Sequence, residues 1–346
     1  MNRTHFLLII LLPILLILAN CNLPRIDLAQ ATATAPATET PVNITPTVTV
    51  PPPFPTVELG LAENPLILAL PPSGNSQEQV DAANVIASQF TERTGYAVVT
   101  IVPDSYTALV DALAQGNAHI VVLDPYAYEL AYQRGLVRAS YAILKEGEGK
   151  YGAQFLAPRR GGFTSYFDEG IDENLTEDAA VALAQFADKK PCWSDEISPS
   201  GYVIPLGYLN ANQIVTKPAA FVEGQPTVVR SLYASGICDF GATYIDARKF
   251  PSLEDAFPDL LEQVIVVWQI PAIIPYDVLA FSTSMPQGMH DLFASLIPAI
   301  LQTEAGKAAF QTAYAVEELE PVNDGYYQEF RIYVDASGID LITLVR

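Results

Sequence analysis

The stretch Ser198-Pro199-Ser200-Gly201-Tyr202 carries the residue types best suited to holding an anion. Two hydroxyls stand beside a glycine that lets the backbone approach a ligand closely, at the expected start of a helix. The first N–H groups of a helix have no internal partner and carry a partial positive charge, so such a start cradles oxyanions well. The plainer reading is local, with Ser198 as an N-cap and proline at the first helical position. Tyr106 and Tyr128 fall in loops that follow β-like runs, where a phenol offers a hydroxyl to a ligand and closes an apolar wall. With 17 tyrosines in the chain, packing in a core is the alternative for each. Asp239 lies between Ile237-Cys238 and Phe240-Gly241-Ala242, so its carboxylate serves either a ligand or the domain's own backbone. Ser73, beside Gly74, qualifies by position at the end of the first β-like run. Arg159 and Arg160 stand either within reach of an anion or solvated at a hinge.

The residues of catalysis are sparse. Beyond residue 20 the histidines are His119 and His290, neither with metal-ligand spacing around it. Ser198-Pro199-Ser200-Gly201 is not a nucleophile elbow, and there is no P-loop or dinucleotide fingerprint. A binding protein rather than an enzyme is expected, and no cofactor or metal is implied.

The elements that must position these residues alternate. Leu66–Leu70 reads as a strand. Ser76, with Gln79 three places on, opens a helix through about Thr94 as a capping box, and Val80, Ala83, Ala87 and Phe90 share one face. Ala97–Val102 and His119–Leu123 read as strands, Ser105–Gln115 and Pro125–Arg134 as helices. The pattern resumes with helix Thr176–Ala187, strand Lys190–Trp193, helix Thr227–Ala234 and strands Cys238–Thr243, Gln263–Trp268 and Val278–Ser282. Ile270–Tyr276 reads as irregular because of Pro271 and Pro275. Helices near Met285–Leu301, Glu304–Ala313 and Asn323–Ala336 close the chain. Alternation with short loops implies parallel strands, right-handed crossovers and ligand loops at the strands' carboxyl ends. The length suits two lobes. Two crossings are expected, near Phe155–Phe163 and Ile270–Tyr276, and a pair of crossings permits hinge closure over a cleft. The expected division is 64–157 for the first lobe, 158–270 for the second, and 271–346 for the return to the first lobe and the C-terminal helices.

The first 20 residues have one arginine and an apolar run ending at Leu18-Ala19-Asn20-Cys21, a secretory signal too short for a comfortable membrane span. Ending on cysteine, the segment resembles a bacterial lipoprotein signal, which implies lipidation of Cys21 and attachment to the outer face of the cell membrane, periplasmic or cell-surface. Asn20 occupies a place where Gly, Ala or Ser is usual. Residues 21–63 then form a Thr/Pro-rich tether that cannot bury enough surface to fold. With Cys21 acylated, Cys192 and Cys238 remain as a pair in an oxidising compartment and a disulfide between them is expected, two separately buried thiols being the alternative. Lysine and arginine total 18 against 39 acidic residues, a net of −21. So acidic a surface repels phosphate backbones, which excludes nucleic acid as a natural partner. Any anion site must then work through local donors.

Several stretches together resemble one family. Ser105-Tyr106-Thr107-Ala108-Leu109-Val110-Asp111-Ala112-Leu113, Gly116 and Asp124-Pro125-Tyr126-Ala127-Tyr128 are similar to the first lobe of phosphonate-binding periplasmic proteins. So are Ser198-Pro199-Ser200-Gly201-Tyr202 with Pro205, Gly236-Ile237-Cys238-Asp239-Phe240-Gly241-Ala242, and the tail from Glu304-Ala305-Gly306-Lys307 to Tyr326-Tyr327. The resemblance covers about 64–346. It implies a type II periplasmic-binding-protein fold of two α/β lobes joined by a two-crossing hinge, a monomer serving an ABC permease. Its ligand is a small, phosphonate- or phosphate-like oxyanion, with contacts from Tyr106, Tyr128, Ser198, Ser200, Gly201 and Asp239. The chain departs from the pattern in three places: Gly224-Gln225-Pro226 where many relatives carry a His two places after a Gly, Pro199 for a threonine, and Asp124 for a glycine. A ligand without phosphorus, or a sensing rather than importing role for the same fold, therefore stays open.

Overall fold

The computed structural model describes residues 57–345 apart from Gly74 and Ser235. The signal segment, Cys21 and most of the Thr/Pro-rich tether lie outside the described residues. Folded structure starts a little before residue 64, where the Gly60 carbonyl accepts from the Ala97 N–H.

Strands β1 (Leu66–Ala69), β2 (Val98–Ile101) and β3 (Ile120–Leu123) alternate with helices Gln77–Thr94, Tyr106–Ala114 and Pro125–Gln133. Two long strands follow, β4 (Val137–Leu144) and β5 (Lys150–Pro158). Next come a small ribbon, β6 (Phe167–Asp168) and β7 (Glu173–Asn174), then β8 (Pro191–Trp193), β9 (Ala220–Phe221), β10 (Phe240–Tyr244) and β11 (Val264–Pro275). The chain returns through β12 (Val278–Ser282) and β13 (Glu318–Pro321). One sheet has the order β13-β4-β12-β3-β1-β2, the other β11-β5-β10-β8-β9. Each is the centre of a lobe, so the architecture is the two-lobed α/β arrangement expected. The sheets are mixed rather than wholly parallel, because β4, β12 and β13 in one and β5 and β11 in the other run antiparallel to their neighbours.

The crossings sit closer to the cleft than the sequence suggests. β4 belongs to the first sheet and β5 to the second, so the first crossing is the turn around Lys145–Gly149, where Lys145 and Glu148 pair. Phe155–Phe163 is not a crossing but the end of β5 and the turn after it. The second crossing is Tyr276-Asp277, between β11 and β12. Ile270–Tyr276 is mostly strand, since β11 continues to Pro275 on the sheet edge and its pairing with β5 shifts register between Ile270 and Ile274. An edge strand with a bulge tolerates prolines that a central strand would not.

Strand faces explain the cores. Leu66, Leu68, Ile120 and Val122 pack with Phe90, Phe281, Phe293 and Phe310 on one side of the first sheet. Their alternates Ala69, Val121 and Leu123 join a second cluster that continues into the other lobe through Phe155, Trp193 and Phe240. Burial on both faces is why these strands read as unbroken apolar runs. Helix Gln77–Thr94 has the expected capping box and ends at Gly95 in the left-handed region, at φ 75°. It buries Ile86 with Ala83, Ala87 and Phe90, leaving Val80 at the margin.

Cys192 and Cys238 form a disulfide with Cα atoms 5.6 Å apart. β8 and β10 are parallel neighbours with Cys192 facing Gly241, and Cys238 lies two residues before β10, its Cα within bridging range of Cys192. Helix Gln328–Ser337 ties the lobes together. Arg331 pairs with Glu129 of the first lobe at 2.8 Å, while Tyr333 stacks on Tyr208 of the second at 3.7 Å between ring centroids. Among the described residues no helix is long and apolar enough to cross a membrane.

Candidate functional site

The cleft-facing end of the second lobe is built by the loop after β8. Ser198 caps a π-helical turn, Pro199–Val203, that runs into helix Ile204–Ala211. Its hydroxyl accepts from the Gly201 N–H at 3.0 Å, so one of the donors expected for a ligand is satisfied within the turn. Ser198 is 8 % and Ser200 2 % exposed. The Gln225 side-chain amide donates to Ser200 Oγ at 2.9 Å and reaches Ser198 Oγ at 3.4 Å, while its oxygen accepts from the Tyr244 N–H. Ser200 also shares a hydrogen bond with the Tyr151 hydroxyl. Gly201 is required for space, since a Cβ there would come within 2.1 Å of Ser194 Oγ. Ser198, Ser200 and Gly201 lie together in this turn. Gln225, quoted in the sequence only as part of the departing stretch Gly224-Gln225-Pro226, sits against both hydroxyls.

The facing end of the first lobe is built by the loop from β3 into helix Pro125–Gln133 and by the start of β12. Asp124 caps the helix, accepting from the Ala127 N–H at 2.8 Å. Burial, with a smaller push from Asp277, raises its carboxyl to about 6, against the lowering effect of the backbone N–H bonds of Ala127 and Tyr126. Burial likewise raises Asp277, with partial relief from Lys145. Tyr106, at the first turn of its helix, is pushed up by burial and then by the charges of Asp277 and Asp124, which places it with them and keeps its phenol neutral. Tyr126 is 5 % exposed and its hydroxyl has no hydrogen-bond partner. Tyr151 and Asp195 of the second lobe are close enough to act on that phenol, after burial itself. The Tyr327 hydroxyl is likewise buried and unpartnered, with Asp277 among the charges that bear on it.

Five residues singled out in the sequence lie elsewhere. Tyr128 is fully buried, donates to Asp324 Oδ1 at 2.6 Å and packs against Tyr327 and Tyr132. Two residues along a helix turn a side chain by about 200°, so Tyr126 faces Tyr151 and Asp195 of the second lobe while Tyr128 packs in the core behind it. Asp239 is at the amino end of β10, the end remote from the Ser198 turn. Its carboxylate accepts from the Lys190 N–H at 2.8 Å and thereby holds the start of β8, which is the backbone role rather than a ligand contact. It lines an outer cavity of ≈ 490 Å³ with Lys189, Lys190 and Lys217. A five-residue strand spans about 17 Å, too far for Asp239 to share a ligand with the opposite end. Ser73 is exposed in the turn after β1. Arg159 and Arg160 are exposed on a short turn of the second lobe, donating to the Glu262 and Tyr233 carbonyls, and are not at a crossing.

The model of the family described as "ABC transporter, phosphonate, periplasmic substrate-binding protein" matches residues 68–327, about three quarters of the chain. The chain belongs to that family. Its members are substrate-binding transport proteins rather than enzymes. A curated relative, the phosphate-import protein PhnD of Mycolicibacterium smegmatis, is 25 % identical over 189 residues, covering 52 % of this chain and 54 % of that protein. The chain thus matches about half the length of this relative. Among solved structures, XAC2383 from Xanthomonas citri bound to ATP aligns with a TM-score of 0.56 at 14 % identity, covering 79 % of this chain and 96 % of that one. That likeness concerns the fold. Family membership gives the two-lobe cleft its context, while Asp124, Tyr126, Tyr151, Gln225 and Asp277 were not picked out as site residues by sequence reasoning. Asp124 left a signal, as an acid where a glycine was expected, and Gln225 lay within the departing stretch Gly224-Gln225-Pro226.

Proposed function

We propose that this protein is the extracytoplasmic capture component of an ABC importer, held to the membrane by lipid on Cys21 and working as a monomer. It takes a small polar ligand with oxyanion character between its lobes and presents the closed form to a permease. The observation that carries this reading is the meeting of polar groups from the two lobes. Two lobes joined at Lys145–Gly149 and Tyr276-Asp277 bring the Ser198–Gly201 turn and Tyr151 towards Tyr106, Asp124, Tyr126 and Asp277, with the Tyr126 hydroxyl buried and unpartnered. A buried hydroxyl left without a partner costs about 1–3 kcal/mol, which a ligand in the cleft would recover. Ligand contacts present only when both lobes engage shift the open–closed balance towards closure.

The turn's share of binding is tested with the full-length chain in detergent, by thermal shift and calorimetry against phosphate, phosphite, methylphosphonate, sulfonates and small amines. A specific binder raises the melting temperature by mass action. Replacing Ser198 and Ser200 together with alanine is expected to weaken binding about tenfold or more, as loss of hydrogen bonds to a charged group does. Unchanged affinity in the double variant, with a native melt, would remove the turn from the site.

A further inference from the structure

The second lobe gathers cations on the side remote from the Ser198 turn. The outer cavity of ≈ 490 Å³ that Asp239 lines is walled by Arg160 just past β5, by Lys189 and Lys190 leading into β8, and by Lys217 ahead of β9. The Lys217 N–H donates to the Lys189 carbonyl at 2.8 Å and the Asp239 N–H to the Lys190 carbonyl at 2.7 Å, so backbone bonds hold these segments side by side. None of the ion pairs among the described residues involves any of the four cations. Arg160 gives one donor to the Tyr233 carbonyl at 2.6 Å, and a guanidinium has five. Asp239 is the one acid on the wall, and the Lys190 N–H already occupies one of its oxygens at 2.8 Å.

With 39 acids to 18 bases, an arbitrary patch of this chain is acidic, yet four bases and one acid line this cavity, 4 − 1 = +3. The local field is therefore inverted against that of the whole molecule. Like charges on neighbouring segments repel, and an anion lying between them removes that repulsion. The volume falls within the range of about 300–1,000 Å³ typical of small-molecule sites. Lysines serve phosphate as point charges and the arginine fork matches its oxygens, so the donor set suits phosphate chemistry. The Asp239 carboxylate disfavours a weakly charged anion, whereas a multiply charged one balances the wall. The length of β10, about 17 Å, keeps any such ligand apart from one in the cleft.

We propose that this outer cavity is a second anion site, separate from the cleft, that binds a compact, multiply charged phosphate anion, pyrophosphate being the simplest. Arg160 and the ammonium groups of Lys189, Lys190 and Lys217 hold its oxygens. The anion joins the turn after β5 to the segments that lead into β8 and β9, all within the second lobe. The inference does not depend on what the cleft captures.

Calorimetric titration of the full-length chain in detergent tests this with pyrophosphate, inorganic phosphate and glycerophosphoglycerol, a soluble phosphodiester standing for a lipid headgroup. Pyrophosphate is expected to bind at least ten times tighter than either of the others. Lys189→Gln with Lys217→Gln neutralises two exposed side chains whose backbone bonds remain, so the melt without anion should stay native. In that variant pyrophosphate is expected to bind about tenfold more weakly or worse, as loss of charge-assisted bonds does. Absence of pyrophosphate binding by the unmodified chain overturns the inference. So does equal binding of phosphate or of the phosphodiester, the latter pointing to a lipid headgroup. Undiminished pyrophosphate binding in the folded double variant also overturns it and moves the anion to the cleft. Should the variant lose its native melt, hydrogen exchange of the unmodified chain decides. Protection by pyrophosphate at 189–190, 217 and 237–239 supports the outer site, and protection confined to the Ser198 turn refutes it.

Discussion

Replacing Asp124 with asparagine is expected to stabilise the ligand-free protein at neutral pH, an unusual outcome for a site residue. The carboxyl is raised from 3.8 to about 6, chiefly by burial and in part by Asp277. At 1.36 kcal/mol per logarithmic step, this means that ionised Asp124 costs the folded state about 3 kcal/mol. Between pH 4 and 6 the folded chain holds a proton that the unfolded chain has released, so stability falls as pH rises through this window. Below pH 4 the acid is neutral in both states and the cost vanishes. Above about 6 it is fully present. Asparagine keeps the acceptor for the Ala127 N–H and carries no charge. The variant should therefore match the parent near pH 4 and exceed it by about 3 kcal/mol at pH 7.5, roughly 6 °C in melting temperature for a protein of this size. Because Asp277 is raised too, the two acids titrate together and the parent's decline is broadened. Calorimetric melts of both proteins at pH 4, 5, 6 and 7.5, without ligand, check this. Parallel curves, or a variant less stable at pH 7.5, would refute the claim that these acids are desolvated and crowded.

Other expectations follow from the same coordinates. Removing the disulfide by Cys192→Ser with Cys238→Ser opens a loop spanning 46 residues and should cost about 4 kcal/mol, read as a lower urea midpoint and as insensitivity of the remaining stability to reductant. Tyr128→Phe deletes the bond to Asp324 and should cost about 1.5–3 kcal/mol in chemical denaturation with ligand affinity unchanged; weakened binding with native stability would return Tyr128 to the site. Gly207→Ala puts a Cβ 2.0 Å from the Tyr333 carbonyl oxygen, where backbone must shift, so helix Gln328–Ser337 should loosen from the second lobe. Faster hydrogen exchange confined to that helix and to Ile204–Ala211 is the expected result, and unaltered exchange would contradict the strap described for it.

Local chemistry was legible where the interaction is local. The capping box at Ser76 and Gln79 and the cap at Ser198 both follow from residue types three positions apart. Runs such as Ile120–Leu123 announced strands covered on both faces, and with the alternation of elements gave the α/β class. Cysteine parity gave the disulfide. Periodicity placed helix Pro125–Gln133 but not its orientation, which is why Tyr128 was chosen where Tyr126 meets the cleft. The direction of β10 relative to β8 decided that Asp239 secures the Lys190 backbone on the far side.

What the sequence by itself determined is the set of strands, helices and caps and the two-lobe class, because these depend on neighbours a few residues apart and on hydrophobic pattern. Only the tertiary structure decided which polar groups share the cleft. Asp124 meets Asp277 because β3 and β12 fall into one antiparallel register, and Gln225 reaches Ser198 and Ser200 because its helix packs beside the turn. Contacts between residues so distant in the chain are set by strand order and register, and these are fixed by how whole faces bury together rather than by any single segment.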